Sequence, residues 1–421
     1  MVLKMKTYKS RVTNLGVYPE IGSVCAATLA RNGISVILFD SARGPGGRMS
    51  QRREISEDGR ELLFDHGAPY FTVTNPDVLS VVTEWESRGL VAEWKSNFGS
   101  FDCFTNKFVN TEHQERESKK YVGVPGMNSI CKALCHEPGV DSKFNMGIGK
   151  FEWLEHENLW SLIGLDGQHL GHFKGVVASD KNIASPRFTA ITGQPPPLDI
   201  ITKVIQELSN NCGYHKSQLY LAGDLSLAPE LVKLHDIPIY PCFALMLGFN
   251  EPLSLVPANG LSFTNSKVLS RAHCESSKPG RSSTRHVCII NVSFRQILTW
   301  LVSGMHSERW VLHSTTEYAK DVIAQSGLEK PSKETLSKVG NEMLQEFLGT
   351  GLTIPQPFFM KAHRWGSAFP ATSIAKEEKC VWSEKKKLAI CGDFCLSPNV
   401  EGAILSGLAA ASKLKGLIGT L

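Results

Sequence analysis

The chain has 421 residues, 42% of them hydrophobic, which is enough to bury a large core and to divide into about two domains. Its 45 basic and 41 acidic residues leave a net charge of only +4, and the two signs are interspersed. A nucleic-acid-binding protein concentrates positive charge on one surface, which this pattern does not do. We therefore expect a soluble protein without a nucleic-acid partner.

The cysteines and the first residues of the chain bear on metals and on the compartment. None of the 11 cysteines belongs to a Cys-x-x-Cys pair. Cys131 and Cys135 are four residues apart, as are Cys391 and Cys395, a spacing that suits neither a zinc site nor a redox dithiol. Residues 1–9 are basic but have no apolar core, unlike a secretory signal. We therefore expect no metal, free thiols and a reducing compartment, the cytoplasm or alternatively a plastid.

An apolar run at residues 287–304 does not predict a membrane span. The run has only 18 residues and carries Asn291, Arg295 and Gln296 in its middle. A transmembrane helix needs about 20 residues that are mainly apolar. We therefore expect no membrane partner.

The most informative stretch, residues 34–49, has the order of a buried strand, an acid, a glycine-rich turn and an arginine. Asp40 follows the apolar run, at the position that accepts hydrogen bonds from the ribose hydroxyls of a dinucleotide. Gly46 and Gly47 let the backbone approach a ligand, and the planar charge of Arg48 suits a pyrophosphate. The alternatives are an acid in an ordinary strand-end turn and a surface arginine.

The segment upstream carries only half of the expected phosphate-binding fingerprint. Residues 23–32 are typical of a small-residue helix, and Gly22 precedes the acid by 18 residues, near the spacing of about 20 in the βαβ fingerprint. Gly22 therefore fits the third glycine of that fingerprint. The first two glycine positions fall on Val17 and Pro19, and residues 11–16 predict only a weak central strand.

A second anchor lies near the other end of the chain. Residues 388–391 predict a short apolar strand, and Gly392 and Asp393 form a turn after it. The helix predicted beyond this turn is rich in Gly and Ala, so it must pack very closely. Its first N–H groups, at 400–402, are expected to point toward an anion or a polarised carbonyl. Asp393 is placed to hold a ribityl hydroxyl or a water beside the phosphate.

Three further motifs complete a pattern that runs from about Gly22 to Lys413. They are Asp-His-Gly-Ala-Pro-Tyr-Phe at 65–71, Val-Pro-Gly-Met at 124–127 and Ala-His-Arg-Trp-Gly-Ser-Ala-Phe-Pro at 362–370. In this order the motifs resemble those of the renalase-like FAD-dependent oxidoreductases of the amine-oxidase type. The resemblance implies non-covalently bound FAD. It also implies that a hydride passes from a dihydronicotinamide derivative or an amine to the flavin, and then to molecular oxygen.

The resemblance further implies which residues form the site. The catalytic residues stay open, because hydride transfer to a flavin depends more on positioning and water exclusion than on an acid–base pair. His66 is equally well explained as a structural histidine, and by composition alone Phe71 and Trp365 belong to a core. The residues expected to contact FAD are Gly22, Asp40, Gly46, Gly47, Arg48, Met49, His66, Gly67, Ala68, Gly392, Asp393, Val400, Glu401 and Gly402. The residues expected to line a pocket for the small-molecule substrate are Phe71, Arg364 and Trp365.

Hydrophobic periodicity predicts the elements between these motifs. A helix is expected over 127–134. Three apolar runs at 147–154, 159–165 and 172–178 are separated by turns and predict a β-meander.

The predicted fold class is α/β, with a discontinuous Rossmann-like FAD-binding domain and a second, mixed α+β substrate domain. The FAD-binding domain is expected to comprise 1–75, 121–182 and 375–421. The substrate domain is expected to comprise 76–120 and 183–374.

Two segments, 199–224 and 284–306, interrupt the pattern of the family. With Val17 and Pro19, they lead to the hypothesis that intervening sequence was retained or that the gene was misassigned. The alternative function is then a catalytically silent paralogue or isoform with impaired FAD binding. A nicotinamide-dependent dehydrogenase is a weaker third reading, because the C-terminal Gly-Asp segment would have no role in it.

Overall fold

The computed structural model describes residues 11–15, 19–110, 118–184, 188–189, 192–193, 233–234, 237–281 and 307–418, with the backbone alone for 11–15 and 19–21. Val17 and the segment 284–306 lie outside the described residues, as does the whole of 199–224. The chain divides into two compact units. The first unit comprises Met1–Gly47, Cys131–Pro238 and Pro370–Leu421, and the second comprises Arg48–Ile130 and Ile239–Phe369.

The strands and helices of the described residues are numbered in chain order. The strands are β1 (Arg11–Leu15), β2 (Ser35–Phe39), β3 (Gln51–Ile55), β4 (Glu61–Asp65), β5 (Phe71–Thr72), β6 (Val91–Glu93), β7 (Phe98–Asp102), β8 (Lys107–Asn110), β9 (Lys120–Gly123), β10 (Val140–Lys143), β11 (Ile148–Leu154), β12 (Leu159–Gly164), β13 (His169–Phe173), β14 (Gly175–Ala178), β15 (Ile239–Phe249), β16 (Gly260–Thr264), β17 (Leu269–Cys274), β18 (Glu308–Ser314), β19 (Phe359–Pro370), β20 (Val381–Ser383) and β21 (Leu388–Ile390). The helices are α1 (Pro19–Arg31), α2 (Pro76–Ser87), α3 (Asn128–Cys135), α4 (Thr316–Ser326), α5 (Lys333–Leu348), α6 (Asp393–Leu396) and α7 (Val400–Ile418).

The first unit is organised by a six-stranded sheet of order β10-β2-β1-β14-β21-β20. The first five strands are parallel, and β20 runs antiparallel at the edge. Helices α1 and α7 pack against each other on one face of this sheet. The other face is covered by the antiparallel sheet β11-β12-β13. A parallel sheet of this kind is stable only when both faces are covered.

The side chains of the sheet alternate between these two layers. Val36 and Leu38 of β2 pack with the helices, whereas Phe39 packs with the meander. On β14, Val177 faces the helices and Val176 faces the meander. This alternation explains why the strands read as continuous apolar runs in the sequence.

The prediction of a weak central strand before α1 is wrong. Strand β1 lies in the centre of the sheet, where Val12 is opposite Val36 of β2 on one side and opposite Gly175 of β14 on the other. A central strand is held on both sides by backbone hydrogen bonds, which any residue except proline can form. Strand β1 can therefore pair on both sides although its sequence contains few apolar residues.

The predicted three-stranded meander is correct for its first two runs and wrong for the third. The run 172–178 is split after Phe173, so that β13 completes the meander and β14 joins the large sheet. Gly175 allows β14 to lie close to α7, because a Cβ at this residue would lie only 2.8 Å from Cδ2 of Leu414. The absence of a side chain lets the strand lie close beneath the helix.

The second unit is built on a seven-stranded sheet of order β19-β15-β18-β17-β16-β7-β8. Helices α4 and α5 pack on this sheet around a core that includes Trp310 and Phe347. Thr315 and Ser332 cap these helices, each accepting a backbone N–H in the first turn. The hairpin β3-β4 and the small sheet β5-β9-β6 complete the unit.

Within the described part of the chain, no helix is long and apolar enough to cross a membrane. The same part contains no group of three or more histidine, cysteine, aspartate or glutamate side chains that could hold a metal ion. The division of the chain into a cofactor domain and a substrate domain stays a prediction, because compact units do not reveal which ligand each part binds.

The central position of β1 predicts slow amide exchange at the start of the chain. The amides of residues 12–15 should exchange within about tenfold of those of 176–178, because both sets lie in strands paired on both sides. Hydrogen exchange followed by mass spectrometry on overlapping peptides measures this. Exchange of 12–15 at the rate of an unstructured peptide would contradict the central pairing.

Candidate functional site

Three buried aspartates follow the carboxyl ends of parallel strands in the first unit. Asp40 follows β2, Asp180 follows β14 and Asp393 follows β21. In open parallel sheets, ligands bind outside this edge. Asp40 and Asp393 were predicted from the sequence, whereas Asp180 was not. The signal for Asp180 was the buried run at 175–178 followed by Ser-Asp, which was assigned to the meander instead.

Asp40 is the aspartate whose geometry points most directly to a ligand. Its side chain is 1% exposed. Oδ1 accepts a hydrogen bond of 2.8 Å from the backbone N–H of Ala42, whereas Oδ2 has no hydrogen-bond partner in the part of the chain that the structure describes. Burial raises the pKa of the Asp40 carboxyl to about 6; the hydrogen bond from Ala42 opposes this shift, and the charge of Asp180 adds to it. A buried oxygen without a partner is costly, and a ribose hydroxyl would satisfy it. Asp40 therefore fits a ligand that offers a hydroxyl group at this edge of the sheet.

The glycines after Asp40 have the conformations that the sequence analysis requires of a tight turn. Gly46 has a φ of 129° and Gly47 a φ of 44°, both in the region that L side chains rarely adopt. They lead into a single 3-10 turn at Gly47–Met49. Replacing either glycine would strain the turn that presents Arg48.

Helix α1 begins earlier than predicted, at Pro19 instead of Ser23. Proline is favoured at the first position of a helix, where its missing N–H has no partner to lose. Pro19 is therefore part of the helix, and it still offers no N–H to a phosphate at the helix N-terminus. Gly22 is buried within the first turns of α1. Residues 16–18, which would form the turn itself, lie outside the described residues.

The C-terminal anchor is built as a short turn of helix followed by α7. Helix α6 begins at Asp393, and Gly392 donates its N–H to Ser406 Oγ of α7 at 2.9 Å. The N–H of Gly402 is donated to the side chain of Asn399 at 2.7 Å, which caps α7. This bond stabilises the start of α7, and the contact to a cofactor expected of Val400, Glu401 and Gly402 stays a prediction.

In the second unit, the turn 65–68 holds the backbone of Arg48. The carbonyl of Arg48 accepts a hydrogen bond of 2.8 Å from the N–H of Ala68. A Cβ on Gly67 would overlap the same carbonyl oxygen, so the turn needs a glycine here. The Arg48 guanidinium donates from Nη1 to the carbonyl of Ala368 at 3.0 Å, and Met49 is buried beside it in the chain.

His66 stands at the centre of an aromatic cluster of the second unit. Its ring lies 4.9 Å from the ring of His363 and 4.8 Å from that of Trp365. Its carbonyl accepts hydrogen bonds from Trp365 Nε1 at 2.9 Å and from His313 Nε2 at 3.1 Å. Burial holds the pKa of His66 well below its usual value, and the charges of His363 and Arg52 act in the same direction. His66 is therefore neutral at pH 7, and its Nδ1 has no hydrogen-bond partner within the described ranges.

The three residues expected to line a substrate pocket have different surroundings. Trp365 is half-buried against His66, as described above. Phe71 is buried and stacks on Tyr121 with their ring centres 5.7 Å apart. Arg364 donates to the carbonyls of Gly327, Leu328 and Glu329, just beyond α4. The guanidinium of Arg364 thus stabilises the loop that follows this helix.

Comparisons with known proteins agree with this fold. Residues 21–85 match the NAD(P)-binding Rossmann-like domain family. The chain is similar to the crystal structure of an oxidoreductase from Methanosarcina mazei, with a TM-score of 0.56 at 12% identity over 94% of this chain and 99% of that one. It is also similar to a triple mutant of putrescine oxidase made in a redesign of cofactor binding. That match has a TM-score of 0.57 at 10% identity over 97% of this chain and 99% of that one.

The predicted fold class is therefore confirmed: the protein is an α/β protein with a Rossmann-like domain and a second, sheet-rich domain. It has the fold of these two oxidoreductases.

The contact between Gly67 and Arg48 predicts the effect of one methyl group. Gly67→Ala should destabilise the protein by about 1–3 kcal/mol, because the added Cβ overlaps a backbone carbonyl that is itself hydrogen-bonded. Urea unfolding measures this. Gly44→Ala is the matched control in the neighbouring loop, since a Cβ there meets nothing within 4 Å. Equal stability of the two variants would contradict the described turn.

Proposed function

We propose that the protein is an FAD-dependent oxidoreductase whose Asp40 binds the ribose of the adenosine half of FAD. The observation that carries the proposal is the buried Oδ2 of Asp40, which has no hydrogen-bond partner among the described residues. It lies at the carboxyl end of a strand of a parallel sheet, where dinucleotides bind. Gly46 and Gly47 follow in a turn that permits close approach of the backbone to a ligand.

The charge of Asp40 limits which dinucleotide fits. A carboxylate accepts hydrogen bonds from two ribose hydroxyls but repels the 2′-phosphate of NADP. The C-terminal segment favours FAD over NAD. In this segment Gly392 and Asp393 follow β21, which is parallel to β14. In a simple nicotinamide dehydrogenase this segment would have no cofactor to contact. The similarity to a putrescine oxidase is consistent with this choice.

In the second unit we propose contacts to FAD for Arg48, Met49, His66, Gly67 and Ala68. When bound, FAD supplies a two-electron acceptor for a hydride. The role proposed for the residues of this chain is to orient the flavin and the substrate and to exclude water, without an acid–base pair. His66 is neutral, so it offers hydrogen bonds without adding a charge, and the aromatic rings of His363 and Trp365 cover it. The proposed substrate is a small reduced molecule, a dihydronicotinamide derivative or an amine, with oxygen as the final acceptor.

Two other functions remain to be tested. The NAD(P)-binding description of the matched family favours a nicotinamide-binding protein as the second candidate. The catalytically silent paralogue has lost part of its support, because β1 is paired as the central strand. What supports it now is Val17, Pro19 and the two segments that interrupt the family pattern.

An absorbance spectrum followed by an anaerobic titration distinguishes the three functions. An FAD oxidoreductase purifies with flavin absorption, or acquires it on addition of FAD, and is bleached by a dihydronicotinamide or an amine. Admission of oxygen then restores the colour. A silent paralogue that still binds FAD is not bleached by either class of reductant. Binding of NAD⁺ without any uptake of FAD would overturn the proposal in favour of the dehydrogenase.

Removing the charge of Asp40 should weaken FAD binding. Asp40→Asn keeps the shape of the side chain but removes a charge-assisted hydrogen bond, which contributes about 1.5–3 kcal/mol. The dissociation constant of FAD, measured by flavin fluorescence, should rise by roughly 10- to 150-fold. Asp141→Asn is the control, since Asp141 is an exposed aspartate on β10, in the strand next to β2. Unchanged affinity of Asp40→Asn would exclude the ribose contact.

The raised pKa of Asp40 predicts a pH dependence of FAD binding. Its pKa lies above the ordinary aspartate value, so the buried carboxyl contributes most to stability when protonated, and this contribution is lost as pH rises through about 6. Ribose hydroxyls bind the ionised form, so FAD affinity should rise ~tenfold per pH unit below 6 and level off above it. Titrations between pH 5 and 8 measure this (roughly one proton released per FAD at the low end). Asp40→Asn should flatten the profile, and a flat profile for the parent protein would contradict the assignment.

A further inference from the structure

Four charged side chains of the second unit form a closed buried group, here called the ion quartet: Asp65, Glu275, Lys278 and Arg281. Each side chain is 1% exposed or less. Lys278 Nζ lies 3.4 Å from Asp65 Oδ2, and Arg281 Nη2 lies 2.6 Å from Asp65 Oδ1. Both cations also bind Glu275 directly. Two acids thus face two bases, and the quartet has no net charge.

The quartet joins three segments that are far apart in the sequence. Asp65 ends strand β4, and its backbone N–H donates to Glu275 Oε2 at 2.9 Å. Asp65 Oδ1 also accepts the N–H of Met127 at 3.1 Å, and Arg281 Nε donates to the carbonyl of Pro125 at 2.6 Å. The end of β4, the turn at 124–127 and the segment 275–281 are thereby held in one arrangement.

Glycine at position 126 makes this arrangement possible. A Cβ on Gly126 would lie 2.5 Å from Arg281 Nη2 and would overlap the side-chain amide of Gln51. The backbone of the turn therefore packs directly beneath the guanidinium. Gln51 is the residue opposite Asp65 in the hairpin β3-β4, so the turn also packs against this hairpin.

A buried ion quartet is an inefficient way to stabilise a core. Removing charges from water costs several kcal/mol per ion, and well-packed apolar side chains are often equally stable or better. What an ion quartet provides is directional bonding, which fixes a particular geometry. The residues that follow Asp65 are His66, Gly67 and Ala68, the turn that holds the carbonyl of Arg48.

We propose that the ion quartet is a positioning device: it fixes the turn 65–68, and through that turn the backbone of Arg48, in the geometry that FAD requires. The proposal rests on the proposed function, because it takes the FAD contacts of Arg48 and of the turn as its object. It assigns no catalytic step to Lys278 or Arg281. Their effect on FAD is exerted through Asp65.

Two variants separate positioning from mere stability. Lys278→Met leaves a buried acid without its partner and should lower both the free energy of unfolding and the affinity for FAD. Lys278→Met together with Glu275→Gln removes one charge of each sign and should recover most of the free energy of unfolding. In this double variant the bonds that orient Asp65 stay incomplete, so we expect FAD to bind at least ~tenfold more weakly than to the parent.

The experiment measures urea unfolding, the FAD dissociation constant and the circular dichroism of the bound flavin for the full chain. Lys338→Met, which breaks an exposed pair with Glu342 on α5, is the control and should change none of them. A double variant that recovers stability, FAD affinity and flavin dichroism together would overturn the positioning role. If the double variant does not recover its stability, the FAD dissociation constant and the flavin dichroism are measured on the folded fraction of Lys278→Met. Parent values for both would then overturn the positioning role. A parent protein that binds no FAD would overturn the proposed function, and with it this inference.

Discussion

Parallel pairing of β2, β1, β14 and β21 is the constraint on which the rest of the first unit depends. Because these strands run in one direction, their carboxyl ends meet at one edge of the sheet, and the buried acids Asp40, Asp180 and Asp393 follow them there. These three aspartates are buried, so their carboxyl groups lie in surroundings poor in water. A carboxylate held there needs a partner, and the proposed dinucleotide supplies one.

In the second unit the main constraint is the position of the Arg48 backbone. The turn after β4 holds the carbonyl of Arg48 by a hydrogen bond from Ala68, and it directly follows Asp65 of the ion quartet. The histidine of this turn is kept uncharged by burial, and the charges of the ion quartet cancel. A neutral histidine and a compensated set of ions suit the proposed hydride transfer, in which geometry matters most.

Sequence reasoning located the residues whose role is local and failed where the role depends on distant partners. Asp40 and the glycines at 46 and 47 were predictable, because strand, acid and turn follow one another directly. The central place of β1 was not, because its pairing with β14 joins residues far apart in the chain. The ion quartet could not be predicted from the sequence for the same reason. Asp65 and Lys278 are separated by 213 residues, and no periodicity links them.

A structure of the protein crystallised with FAD tests the central claim most directly. The claim predicts a ribose hydroxyl within hydrogen-bonding distance of Asp40 Oδ2, about 2.5–3.0 Å, with the bond from Ala42 to Oδ1 retained. Density for FAD with the ribose elsewhere, and Asp40 Oδ2 bound to another protein group or to water, would contradict it.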